Sequence, residues 1–320
     1  MRTVSIGLAS AFALIATTAL AFGTINGMGQ NQEHERITRH ALGCGQGLGN
    51  DVCFQSKSLD EIAGKPGTWG GVGAPDNPAR GLAFSSDAHC DNADWVNVPN
   101  YPQSQANARN HLISCRNAMK RHMDEAVKDA AKLLKSNGKI DDSEIPTWVT
   151  CTYLGTKGRA KCNVIEDFGR VLHASQDFYS HSNWVDRPAS GGITLSNPAG
   201  LGNSGRAPWL NLRQDVGFPD GLITGCFDTL SAASPSKGCP GHVKHEDLNK
   251  DKGTIDPSLG AGTTERGKIN ANFQRAVDAA IDDTRDKWAT LRERLVSTYG
   301  AQKGNKMICA LTHDNPAKTC

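Results

Sequence analysis

Four segments of the chain repeat apolar residues every three or four positions, which is the spacing of a helix with one buried face. The longest covers residues 106–134, with Leu112, Met119 and Met123 on its apolar stripe, and Ser136-Asn137-Gly138 ends it. The other three cover residues 33–42, 163–182 and 266–298. No segment shows the convincing alternation of a half-buried strand. The pattern predicts an all-α fold.

Two long stretches between these helices lack any period. Residues 45–83 are rich in glycine, and residues 187–241 are rich in Gly, Pro, Ser and Asn. Loops of this length inside a compact domain are usually functional or tied down by disulfides. Since no internal repeat and no clear linker is visible, we expect residues 22–320 to form one helical domain, with a site built between helices.

Residues 1–21 have the composition of a secretory signal peptide. Arg2 precedes a mostly apolar run, and Ala19-Leu20-Ala21 is a small-x-small cleavage site. An uncleaved membrane anchor is the alternative, because the run approaches the length that spans a bilayer. Ser and Thr dilute the run, so we expect cleavage before Phe22 and export to the periplasm or the extracellular medium.

All ten cysteines lie beyond this segment, and an even number in an exported chain indicates disulfides. The sequence leaves their connectivity open. Pairing across the shortest loops gives Cys44–Cys53, Cys90–Cys115, Cys151–Cys162, Cys226–Cys239 and Cys309–Cys320. A cysteine-ligated zinc site is a weak alternative, because the chain contains no C-x-x-C pair.

The charges nearly balance, with 35 basic and 33 acidic residues. This balance argues against a strong electrostatic attraction between the protein and nucleic acid, and we expect no stable nucleic-acid complex. A locally positive cleft remains compatible with the composition.

The segment RVLHASQDFYSHSNWVD places three potential metal ligands four residues apart: His173, Asp177 and His181. On a helix, residues four apart differ by about 40° around the axis, so the three share one side. This spacing suits a helical metal-binding pair, but an ordinary surface His–Asp pair has it too. The segment GHVKHEDLNKD repeats the spacing with His242 and Glu246, with His245 as a competing ligand or a supporting group. A solvated, charged helix start is the alternative there.

Three further candidates lie upstream. His34 opens the first predicted helix, where a histidine is usually exposed. Asp76 lies in GAPDNP, where loop carboxylates commonly cap turns, and His89 lies in SSDAHCDNADW. None of them indicates a metal site alone.

The order and number of these segments resemble the zinc-dependent phospholipase C superfamily. That superfamily includes the bacterial phospholipases C, more distantly the P1/S1 nucleases, and the fungal Het-C-like proteins. The resemblance rests on islands spread over most of residues 22–320: FGTINGMGQNQEH, APDNP, SSDAH, LHASQD, SHSNW and GHVKHE. GHVKHE is most similar to the bacterial phospholipases and SHSNW to the Het-C group. The resemblance to this superfamily implies an all-helical domain that holds three zinc ions.

The resemblance also implies a ligand for each ion. One zinc would take His89, His173 and Asp177, and Asp177 would bridge to a second zinc held by His34 and the amino terminus of Phe22. The third would be bound by His181, His242 and Glu246, and Asp76 would act as the base for the attacking water. The chain departs from the family pattern in having Phe22 where tryptophan is usual. It also reaches His181 two residues early and is rich in cysteine, and we expect no lipid-binding domain to follow.

The function that the resemblance implies is a secreted zinc phosphodiesterase of the phospholipase C type. It would act on phospholipid at a membrane surface and release diacylglycerol and a phosphorylated head group. A P1-type nuclease is the enzymatic alternative, which Glu246 and the balanced charge make less favourable. A Het-C-like interaction protein with a structural metal cluster is the alternative from another class.

Overall fold

The computed structural model describes residues 22–24, 26–27, 30–77, 82–83, 85–145, 151, 153, 158–188, 190–228, 235–255 and 260–320. The predicted signal peptide, residues 1–21, lies outside the described residues. The fold is all-α, as the sequence predicts, with one minimal antiparallel pair of strands, β1 (Asn26–Gly27) and β2 (Gln30–Asn31). The helices are α1 (Glu33–Leu42), α2 (Ser56–Ala63), α3 (Gly70–Gly73), α4 (Ser86–His89), α5 (Gln105–Ala130), α6 (Ala160–His181), α7 (His245–Leu248), α8 (Glu265–Lys268), α9 (Asn272–Tyr299), α10 (Ala301–Thr312) and α11 (Pro316–Thr319).

Helix α6 forms the centre of the molecule. It packs against α5, α9 and α3, and nearly all of its residues are buried, polar ones included. A helix enclosed on all sides must satisfy its polar groups with protein or ligand partners, because water does not reach them. Each buried polar residue of α6 therefore needs a partner in the protein or a bound ligand.

Two glycines allow α3 to lie directly against α6. A Cβ added at Gly169 would come within 2.2 Å of the carbonyl carbon of Gly71, and one added at Gly71 would come within 2.5 Å of the Ile165 carbonyl oxygen. Only residues without side chains permit this approach of two backbones. The contact brings the main chain of Val72 next to the turn of α6 that contains His173.

The four predicted helices are present, with instructive differences at their ends. The first matches α1, and the second ends at Ala130, where a 3-10 turn continues to Leu133. The segment predicted as one helix over 266–298 is divided into α8 and α9, because Asn270 and Ala271 adopt φ of 48° and 57°. The predicted loop 45–83 contains α2 and α3, and α10 and α11 have no counterpart in the prediction.

All five cysteine pairs predicted from the shortest loops are confirmed as disulfides: Cys44–Cys53, Cys90–Cys115, Cys151–Cys162, Cys226–Cys239 and Cys309–Cys320. Five disulfides indicate an extracellular or otherwise oxidising environment. Within the described residues, no helix combines the length and the apolar character needed to cross a bilayer.

Candidate metal centre

The predicted ligand face of α6 is buried in the protein interior. His173, Asp177 and His181 are each fully inaccessible to solvent. An exposed His–Asp pair, the ordinary alternative for this spacing, is therefore excluded. The three residues divide between two clusters of histidines and aspartates.

The first cluster is formed by His34, Asp76, His89, His173 and Asp177, and Asp177 lies at its middle. Asp177 Oδ1 is 3.0 Å from His34 Nε2, while Oδ2 is 2.7 Å from His89 Nδ1 and 3.1 Å from His173 Nε2. The contact between Asp177 Oδ1 and His34 Nε2 lacks hydrogen-bond alignment, and neither atom has another hydrogen-bond partner among the described residues. The two carboxylate oxygens thus face two different sets of imidazoles.

Asp76 completes the first cluster from the 3-10 turn that follows α3. Its Oδ1 lies 3.6 Å from His173 Nε2 and 3.9 Å from His89 Nδ1, and it accepts no hydrogen bond within the described part of the chain. Its Oδ2 accepts a hydrogen bond from the Thr24 hydroxyl. Asp76 is thus fully buried among the potential ligands.

In each imidazole of the first cluster, the ring nitrogen that does not face Asp177 donates a hydrogen bond to an oxygen acceptor. His173 Nδ1 donates to the Val72 carbonyl at 2.9 Å, and His34 Nδ1 donates to the side-chain oxygen of Gln176 at 2.7 Å. His89 Nε2 donates to the Leu82 carbonyl at 3.3 Å. In the neutral form of each imidazole, the outer nitrogen carries the proton and the inner nitrogen is left to bind a metal. Histidines that bind metals in proteins are oriented in the same way.

Burial and neighbouring charges compete in setting the pKa values of these groups. Burial lowers the pKa of His89, but the carboxylates of Asp177 and Asp76 outweigh it and raise the pKa to about 9. The pKa of His34 rises for the same reasons. Burial raises the pKa of Asp177, yet His173 and His34 hold it well below its usual value. The pKa of His173 is lowered, chiefly by burial. Metal binding here would therefore release protons from the imidazoles.

The second cluster is formed by Asp91, His181, His245 and Asp251, at the end of α6 and the start of α7. All four side chains are buried. Asp91 Oδ1 lies 3.5 Å from His181 Nδ1 and 3.2 Å from His245 Nδ1, and the two imidazole centroids are 3.7 Å apart. Burial lowers the pKa of His245, but Asp91 and Asp251 raise it to about 10.

The structure does not bring all of the predicted site residues together. His242 Nδ1 is 2.6 Å from Asp94 Oδ2, outside both clusters, and Glu246 is half exposed, with its Oε1 3.5 Å from Lys244 Nζ. In their place, the second cluster surrounds His181 with Asp91, His245 and Asp251. Of these, the sequence suggests a site role only for His245, as a competing ligand or a supporting group. Asp91 is an acid two residues after His89, which is the available signal for it, and Asp251 is the last residue of the segment GHVKHEDLNKD.

Phe22 lies beside the first cluster. Its ring is fully buried and packs edge-on against the imidazole of His34 at 5.9 Å between centroids. The next carbonyl, of Gly23, accepts a hydrogen bond from the His34 amide, and the Gly23 amide donates to the Asp251 carbonyl. The main chain at Phe22 is thus fixed beside His34, while the residues before it lie outside the described part.

Two further groups combine a histidine with cysteine near the surface. Cys309, His313 and Cys320 form one, and Asp94, Cys226 and His242 form the other. Their cysteines are in disulfides and supply no thiolate, which is the form that binds metals. The two buried clusters are therefore the better candidates.

No family model, no curated protein and no solved structure matches this chain. The two buried clusters are therefore the features of the described residues that point to a metal centre. Their buried histidines and aspartates could hold a metal ion.

Proposed function

We propose that the protein is a secreted, zinc-dependent phosphoric ester hydrolase of the phospholipase C type, with the first cluster as its active centre. The observation that carries the proposal is a fully buried carboxylate, Asp177, whose two oxygens face separate imidazoles. A carboxylate in this position suits a bridge between two cations. This agrees with the bridging role that the sequence resemblance implies for Asp177.

The residues of the first cluster fit zinc by their chemistry. Three imidazoles and two carboxylates form a nitrogen and oxygen donor set of the kind that zinc accepts. No lysine or arginine of the described chain pairs with Asp76 or Asp177, so two buried negative charges lack a permanent cation. Within the described residues, His34 Nε2, Asp76 Oδ1 and Asp177 Oδ1 make no aligned hydrogen bond. His34 Nε2 lies 3.0 Å from Asp177 Oδ1, and His34, Asp76 and His173 offer ligand atoms within 4.8 Å of one another.

Bound zinc would supply a Lewis acid that polarises a phosphate ester and lowers the pKa of water to about 7. The chain itself fixes the geometry for this chemistry. The Val72 carbonyl and the Gln176 side chain hold His173 and His34 in the ligand tautomer, and Thr24 orients Asp76. Asp76 combines one anchored oxygen with one free oxygen, which suits either a ligand or the base that the sequence predicts.

A cleft beside the first cluster supports a phosphate ester as the substrate. Arg121, His122 and Arg170 line it, together with the immediate neighbours of three cluster residues: Pro75, Ala88 and Ala174. Arg170 is held by Glu166 at 2.8 Å, but its buried Nε has no hydrogen-bond partner in the described chain. Guanidinium groups are well matched to phosphate oxygens. Such a cleft could position the ester next to His89 and Asp76.

The proposal is tested by measuring phospholipid hydrolysis by the exported protein after it has been loaded with zinc. We expect it to release diacylglycerol and phosphocholine from phosphatidylcholine vesicles. His173→Ala should abolish this activity, because it removes a ligand from the active centre. His111→Ala, a change on α5 away from both clusters, should leave the activity intact.

Two other outcomes would replace the proposal. Degradation of single-stranded nucleic acid with no lipid hydrolysis would indicate a P1-type nuclease. Retention of zinc with neither activity would indicate an interaction protein whose metal is structural. Full lipid hydrolysis by the His173→Ala variant would show that the first cluster is not the active centre.

A further inference from the structure

The second cluster is not accounted for by the sequence-based ligand set. We infer that Asp91, His181 and His245 form a separate site for one divalent metal ion, with Asp251 as the residue that orients the His181 imidazole. The site differs from the one that the sequence resemblance assigns to His181, His242 and Glu246. It stands independently of the proposed hydrolase activity.

The carboxylate oxygen Asp91 Oδ1 lies close to one nitrogen of each of the two imidazoles of this site. Asp91 Oδ1 faces His181 Nδ1 at 3.5 Å and His245 Nδ1 at 3.2 Å, so three donor atoms from three parts of the chain converge. These three residues offer ligand atoms that all lie within 4.8 Å of one another. His181 Nδ1 is fully buried and has no hydrogen-bond partner in the described structure. A lone pair pointing at a carboxylate in the interior is costly unless a proton or a metal cation lies between them.

Asp251 lies on the opposite edge of the two imidazoles. Its Oδ1 is 2.5 Å from His181 Nε2, and its Oδ2 is 3.9 Å from His245 Nε2. When Asp251 accepts the proton of His181 Nε2, the lone pair of His181 is left on Nδ1, facing Asp91. A carboxylate behind a ligating histidine is the common arrangement in protein metal sites.

Asp251 is itself held firmly in this position. The Ser180 hydroxyl donates to its Oδ1 at 2.5 Å, and the Asn249 side-chain amide donates to its Oδ2. The Asp251 amide in turn donates to Asn249 Oδ1 at 2.8 Å. Such a network fixes the direction in which the carboxylate faces the imidazoles.

Backbone contacts hold the three ligand segments together. The His245 amide donates to the Cys226 carbonyl at 3.0 Å, and the Gly225 amide donates to the His181 carbonyl at 3.2 Å. Gly225 lies so close to His245 that an added Cβ would come within 2.3 Å of its Cα. Asp91 directly follows Cys90, which the disulfide to Cys115 ties to α5. The donors are therefore preorganised before any ion binds.

The charges of the second cluster are also compatible with a bound metal cation. Asp91 and Asp251 are both buried, and no lysine or arginine among the described residues forms an ion pair with either. One divalent ion would neutralise the two carboxylates. Two imidazoles and one carboxylate form a donor set that suits zinc and other first-row divalent metals.

The experiment compares neighbouring residues of one segment. Metal content and cobalt(II) absorption are measured on the purified full chain, its His245→Ala variant and its His242→Ala variant. We expect His245→Ala to lose one equivalent of metal and the corresponding cobalt band. His242→Ala, three positions away and outside both clusters, should retain both. Loss of metal from His242→Ala with retention in His245→Ala would overturn the assignment.

Asp251 is tested by a milder substitution that keeps its shape. Asp251→Asn should weaken cobalt binding at this site about 10- to 100-fold and shift its absorption band, because the His181 imidazole loses its orienting carboxylate. Glu246→Gln, on the exposed side of the same segment, should change neither. Unchanged cobalt affinity in a folded Asp251→Asn variant would contradict the role given to Asp251.

The metal counts also separate this inference from the proposed function. The His173→Ala variant should keep the second-cluster ion, since its substitution removes a ligand of the first cluster only. If every bound ion is lost on His173→Ala and none on His245→Ala, the second site is wrong while the hydrolase proposal stands. If the enzyme proves inactive yet His245→Ala still loses one equivalent, the second site stands alone.

Discussion

The contact between α3 and α6 makes Gly169 a sensitive position for the metal centre. In Gly169→Ala the new Cβ would lie 2.2 Å from the carbonyl carbon of Gly71, 2.3 Å from its oxygen and 2.7 Å from the Val72 nitrogen. All three are backbone atoms, so no side chain can rotate out of the way. To reach ordinary contact at 3.4 Å, the two backbones must separate by about 1.2 Å.

That separation has two measurable consequences. Overpacking costs about 1–3 kcal/mol, and alanine recovers about 1 kcal/mol of helix propensity, so we expect a net loss of up to about 2 kcal/mol in the free energy of unfolding. The shift also moves the Val72 carbonyl, which accepts from His173 Nδ1 at 2.9 Å, beyond the ~3.2 Å limit of a good hydrogen bond. Loss of such an orienting partner lowers metal affinity about 10- to 100-fold.

The assay combines urea unfolding with a competitive zinc titration against a chromophoric chelator. Gly217→Ala is the control, because a Cβ there would meet nothing within 4 Å. The control should match the unmodified protein in both measurements. If Gly169→Ala also matches in stability and in zinc affinity, the close packing of α3 on α6 does not position His173, and the reasoning fails.

Three further predictions test other parts of the structure. Arg121→Gln should raise the KM for a phosphodiester about tenfold with kcat preserved, whereas Lys303→Gln should not. The paired change Cys90→Ser and Cys115→Ser should cost about 2–5 kcal/mol in urea unfolding and weaken zinc binding at both clusters, because their ligands flank Cys90. Burial lowers the pKa of Lys161 to about 8 from 10.5, so the unfolded chain binds more protons between these values. The contribution of Lys161 to the free energy of unfolding should therefore rise by about 3 kcal/mol from pH 8 to 10.5, measured as the difference between the unmodified protein and Lys161→Met at each pH. Unchanged KM, unchanged zinc affinity or an unchanged pH slope, respectively, would contradict these expectations.

The helices were predictable because their apolar periods are long and uninterrupted. Helix α1 has the predicted bounds, and α6 differs by three residues at its start and one at its end. The division between α8 and α9 was not predictable from the period, because it depends on left-handed backbone at Asn270 and Ala271, neither of which is a glycine. The disulfides followed from short loops alone.

The first cluster was likewise predictable, but the second was predictable only in part. His173 and Asp177 share a helix, so their spacing carries the information. His242 and Glu246 have the same spacing, yet α7 begins only at His245 and ends at Leu248, so the pair never shares a helix. Asp91 and Asp251 come from irregular segments whose position depends on tertiary contacts, which leave no period in the sequence.

The central claim is that buried histidines and aspartates of this chain hold zinc. The most direct measurement is the metal content of the exported protein, with its amino-terminal sequence determined on the same sample. We predict roughly three zinc ions per chain, two at the first cluster and one at the second, in a protein that begins at Phe22. A protein exported and folded with one ion or none would contradict the account.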